Sequence, residues 1–271
     1  MMKNQKRGMF IFYDIFVGEL LSWNVLLLIV IILIAFLYAL SITYLTDIKV
    51  YHRQPIFFLL SLSLFYVTVG SPFTTISHLS FSLHMIQMSI LYFIVPPLLI
   101  SGIPTALWQR VWKLSKSVKG SKWLSTSKAS LILFSVLFFM YHLPVVLTFL
   151  SNNPVAHQAM IYLLLLLAVL MWWPLVSPDS RHLLYGDQKR TYVSLSGILL
   201  MPACLLFIFS AIIDGINNPF LTQLTAHLCI PSQSLSVHIL PPPFHTRYDQ
   251  GMAGVFMLGI HKIVLMVLKR Q

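Results

Sequence analysis

Residues 77–100 read SHLSFSLHMIQMSILYFIVPPLLI, an apolar run whose beginning is crowded with soft metal donors. His84 and Met88 are four residues apart, so in a helix they share one face with about 6 Å between Cβ atoms. Imidazole with thioether is a ligand set for copper, and the thioether favours Cu(I) over zinc. Met85 adjoins the pair, and Gln87 is placed to orient a ligand from behind. The plain alternative is a packing face: methionine fills gaps between helices, and a histidine at a helix end can sit at the membrane interface.

Three further stretches hold candidates. In MYHLPVVLTF, His142 lies among apolar residues, two before Pro144. An ionisable residue inside a membrane span is costly and marks function by default; against this, a neutral imidazole can bond a carbonyl released by the proline kink. In NNPVAHQAMIY, His157 and Met160 stand one turn apart. In RYDQGMAGVFMLGIHK, Asp249, Ala253, Met257 and His261 recur at steps of four. There Asp249 reads first as a cap on the amides of its own helix, and Met257 as an inner metal ligand. Gly251, Gly254 and Gly259 allow close helix approach.

The elements that must position these residues are membrane helices. The chain has 271 residues, 58% hydrophobic and 9% charged, with mean hydropathy +0.83. A soluble domain carries about 25% charged residues. The expected fold is an all-α polytopic helix bundle, a single membrane domain over 1–271. Stretches long enough to cross a bilayer fall at roughly 21–45, 55–74, 83–103, 129–150, 155–176, 193–213 and 251–268, about seven spans. The net charge of +11 points to cytoplasmic loops and anionic lipid rather than nucleic acid.

The loops set the orientation. Lys49 and Arg53; Arg110, Lys113, Lys116, Lys119, Lys122 and Lys128; Arg181, Lys189 and Arg190; and Lys262, Lys269 and Arg270 alternate to one side and hold fourteen of the 18 basic residues. The positive-inside rule puts that side in the cytoplasm, with the N-terminus outside. His84, His142 and His157 then share the extracytoplasmic third of three spans. His78 precedes the third span, and His227, His238 and His245 fall in the long outer connection 214–250. His261 is deep in the last helix.

Other features are structural or exclude. Trp172 and Trp173 fit an interfacial aromatic belt, and Pro241–Pro243 stiffens the outer connection. Cys204 and Cys229 are too few for a disulfide framework. The basic start MMKNQKRGMF lacks a cleavage site after the apolar run that follows, so that run reads as an uncleaved first helix. There is no H-E-x-x-H, G-x-S-x-G, C-x-x-C or phosphate-cradling glycine loop, and intramembrane carboxylates are almost absent, with Asp214 at a helix end. An enzyme is not expected.

The succession HMIQM…VPPLL, HLP, HQAMIY…WWPL, Met201–Pro202 and DQGMAGVFM resembles the CtaG family of bacterial cytochrome c oxidase assembly factors of the Bacillus type, over about residues 55–268. The resemblance implies a multi-pass protein of the bacterial plasma membrane that helps copper reach the catalytic subunit of a haem-copper oxidase in the same membrane. It points to His84, His142, His157, Asp249–Gln250 and Met257. Many relatives carry a second histidine four residues after the first in the third and fifth spans; here those places hold Met88 and Ile161. Met88 keeps a donor suited to Cu(I), whereas Ile161 cannot ligate. The expected metal set is therefore His84, Met88, His142 and His157, with Met85, Met160, Asp249 and Met257 behind them, binding Cu(I) transiently. Two other readings stay open: a haem-binding or quinol-reactive redox protein using paired histidines, and a metal-free scaffold or transporter.

Overall fold

A computed structural model describes residues 23–46, 52–77, 80–115, 127–180, 182–213 and 247–269. His78, Asp214, His227, Cys229, His238, Pro241–Pro243 and His245 lie outside them. The described residues form helices α1 Val25–Leu45, α2 Arg53–Val69, α3 Phe73–Ser77, α4 Phe81–Gly102, α5 Thr105–Ser115, α6 Ser127–Tyr141, α7 Pro144–Ser151, α8 Pro154–Val176, α9 Gly186–Ile213 and α10 Arg247–Lys269, with no strand among them.

Among the described residues, each of the seven apolar stretches is mainly helical, but they are not seven equal spans. Five helices (α1, α4, α8, α9 and α10) are long and apolar enough to cross a membrane, and α6 with α7 makes a sixth if the pair is one span. α2 is shorter, 17 residues, and stops at Gly70 rather than continuing to 74. α6 and α7 are bent by 81° at a break over His142 and Leu143. The cause is local: Pro144 fixes its own φ, lacks an N–H, and keeps Leu143 out of the α region, and Leu143 is extended. α9 begins at Gly186, ahead of the apolar run, because its polar first turns continue the helix beyond it.

α4 is the centre of the bundle, with α2, α8 and α10 packed around it. Its middle, Ile90–Ile94, is a turn of π-helix. Pro96 and Pro97 follow, four and five residues after Tyr92, so neither an α nor a π hydrogen bond can reach the Tyr92 carbonyl. Trp172 of α8 supplies the missing donor: its indole N–H bonds that oxygen at 2.9 Å. Trp172 is therefore a buried lock between α4 and α8 rather than part of an interfacial belt. Its neighbour Trp173 stands edge-on to Trp108, with ring centroids 4.6 Å apart.

Two close approaches need glycine. A Cβ on Gly102 would lie 2.5 Å from the Phe58 nitrogen, and one on Gly254 would lie 2.6 Å from the Cys204 carbonyl. The first seats α4 on α2; the second lets α9 and α10 pack along their length. α1 stands at the edge, stacking Tyr38 on Phe58 at 3.7 Å and donating the Tyr38 hydroxyl to the Gly102 carbonyl. The rest of its apolar surface is largely exposed, as suits a lipid-facing helix.

Candidate functional site

Asp249 is completely buried, but it does not cap α10, which begins two residues earlier. Its carboxylate caps α4 instead. It accepts from the Ser80 hydroxyl at 2.8 Å, the Phe81 amide at 2.9 Å, the Ser82 amide at 3.2 Å and the Ser82 hydroxyl. The negative group thus sits at the positive end of a neighbouring helix, where orphan N–H groups need an acceptor. The capping chemistry matches the sequence reading; the helix capped is a different one.

That cap sets the register of two helices. Phe93 lies twelve residues beyond Phe81, and His261 lies twelve beyond Asp249. The Phe93 and His261 rings meet with centroids 4.8 Å apart. α4 and α10 therefore run parallel and in step. His84 is three residues beyond Phe81, level with residue 252. Met88 is level with residues 256–257, of which Met257 is buried and Phe256 exposed.

α9 runs the other way. Gln250 donates to the Ser210 hydroxyl at 2.5 Å, and Gly254 abuts Cys204. Phe207, midway between Ser210 and Cys204, is thus also level with residue 252. The Phe207 ring touches the His142 ring edge-on, with centroids 5.4 Å apart. His84 and His142 accordingly occupy one layer, to within about one helical turn of 5.4 Å. Met88 and Met257 lie about one turn further along.

The chemistry of His142 is well defined. At the break, its amide bonds the Phe139 carbonyl, which releases the Phe138 carbonyl. His142 Nδ1 takes that oxygen at 2.6 Å. A carbonyl only accepts, so Nδ1 carries the proton and Nε2 holds a lone pair. Nε2 is buried with no hydrogen-bond partner among the described residues, on a side chain 1% exposed. A backbone carbonyl that fixes the tautomer and leaves the other nitrogen open is how histidine ligands are usually oriented. Leaving that nitrogen unmet costs about 1–3 kcal/mol.

His157 is half-buried at the start of α8. Its Nε2 meets the hydroxyl of Tyr141 at 3.1 Å, and the two rings lie parallel. Tyr141 is the residue before His142, so the fourth and fifth apolar segments are joined through it. His157 can therefore offer Nε2 to a metal only after parting from Tyr141. His84, Met85 and Met88 are buried in α4, and Met160 packs against the same core.

Gln87, placed by the sequence to orient a ligand, has its amide engaged by neighbouring helices. Its amide accepts from the Ser77 hydroxyl at 2.6 Å and donates to the Thr68 carbonyl at 2.5 Å, tying α4 to α2 and α3. Asp249 and Gln250 are likewise occupied in holding helices together. No group of three or more His, Cys, Asp or Glu side chains suited to a metal occurs among the described residues. The layer itself holds the imidazoles of His84 and His142, with the buried thioethers of Met88 and Met257 about one turn further along.

His261 closes the stripe of residues four apart that begins at Asp249, deep in the last helix. It is buried on α10 with Nε2 unpartnered among the described residues, one turn beyond Met257. The spacing of four from Met257 was the available signal.

Residues 35–269 match the model of a family described as cytochrome c oxidase caa3 assembly factor (Caa3_CtaG). No curated protein and no solved structure matches the chain.

Proposed function

Because the chain belongs to the cytochrome c oxidase caa3 assembly factors, we propose that it is a non-catalytic copper carrier for oxidase assembly. Cu(I) is its cargo, bound transiently on the extracytoplasmic side of a bacterial plasma membrane. His84, Met88 and His142 receive it, His157 joins once it leaves Tyr141, and the ion passes to the oxidase catalytic subunit in the same membrane. Met85, Met160 and Met257 are reserve donors, whereas Asp249 is engaged as the cap of α4.

The observation that carries the reading is the Nε2 of His142, unpartnered among the described residues, in the layer of His84. Two imidazoles and a thioether hold Cu(I) without closing its coordination, so a partner can attack and exchange ligands. The charge of the loops supports the orientation.

The test is a strain lacking this protein, assayed for caa3 oxidase activity across a copper series. The proposal predicts lost activity that rises again when copper is added. Activity that stays absent at every copper level, with the oxidase polypeptides present, would overturn copper supply as the role.

A further inference from the structure

We infer that Met257 and His261 form a second, deeper position for the same soft monovalent cation. The inference rests on the Cu(I) reading above and extends it inward. Met257 and His261 are four residues apart on the buried stripe of α10, so their side chains share a face. Met257 is fully buried and His261 is 4% exposed.

His261 Nε2 has no hydrogen-bond partner among the described residues. The ring is walled by Phe93 at 4.8 Å and by Trp172 at 6.2 Å between centroids. Trp172 cannot serve it, because the indole N–H is committed to the Tyr92 carbonyl. A buried imidazole nitrogen without a partner is a costly arrangement that calls for a cause, and a soft cation supplies one.

The register connects this position to the first. α4 and α10 run in step, so Met88 and Met257 lie at one depth. His84 stands one turn before them and His261 one turn after. Donors therefore recur about every 6 Å, the rise of four helical residues: imidazole, thioethers from two packed helices, then imidazole. A Cu(I) ion bound by two donors moves along such a series by exchanging one ligand at a time, with no change of oxidation state and no proton released from a thioether.

The experiment uses the full chain in detergent with Ag(I) alone and with Cu(I) under reducing conditions. The wild type is expected to bind two ions per chain, and Ag(I) to shift the ¹⁵N resonance of His261. His261→Phe, which keeps an aromatic ring in the space, and Met257→Leu, nearly isosteric, are each expected to bind one. His84→Ala with His142→Ala is expected to lose the other ion and keep the His261 shift. One ion in the wild type, retained in His261→Phe with no His261 shift, overturns the deeper position and leaves the first intact. One ion lost in His261→Phe but kept in the double variant overturns the first position instead. No ion in the wild type overturns both.

Discussion

Replacing Asp249 by alanine removes one acceptor that serves two backbone amides and two hydroxyls at the start of α4. Polar contacts within membrane bundles average about 0.6 kcal/mol each, so four such contacts give a loss of about 2 kcal/mol. An orphaned buried donor costs about 1–3 kcal/mol, and loss of a helix N-cap alone about 1 kcal/mol. Together these place Asp249→Ala at about 2–4 kcal/mol of destabilisation. Asp249→Asn keeps one accepting oxygen but loses the charge, and should cost about half as much. Reversible unfolding in mixed micelles, followed by helical circular dichroism, measures both. The same assay on Ser80→Ala and the double variant should show coupling, because the two residues share a bond. An Asp249→Ala protein within about 0.5 kcal/mol of wild type, too small for an orphaned buried donor, would refute the interhelical cap and the register built on it.

Other expectations follow from single contacts. Trp172→Phe leaves the Tyr92 carbonyl without a donor and should cost about 1–3 kcal/mol in the same unfolding assay. Gly254→Val drives side-chain atoms into the Cys204 backbone and should separate α9 from α10, read as lost stability and increased cysteine labelling at Cys204 in detergent. Tyr141→Phe removes the hydroxyl that holds His157 Nε2, and should raise Cu(I) affinity several-fold in a competition titration with a chromogenic chelator.

The helices were legible in the sequence because apolar runs of about 20 residues between charged loops have few other readings. The kink was legible in the HLP step, including the carbonyl it offers to His142. What stayed hidden was non-local. Asp249 read as a cap on its own helix because capping is recognised within one turn of sequence, whereas its donors sit on α4. Gln87 shares a face with His84, yet its amide is held by Ser77 and Thr68, which no spacing rule reveals. Trp172 looked interfacial from its place near a helix end; the proline pair that frees the Tyr92 carbonyl lies on another helix. The common depth of His84 and His142 was expected from loop charge, and the packing of α4, α9 and α10 gives it a physical register.

The most direct test of the account is a Cu(I) titration of the purified protein in reducing detergent buffer, set beside the His84→Ala plus His142→Ala variant. Stoichiometric binding is expected in the wild type and loss of the first-layer ion in the variant, with both proteins equally helical. Full Cu(I) stoichiometry retained in the folded variant would contradict it.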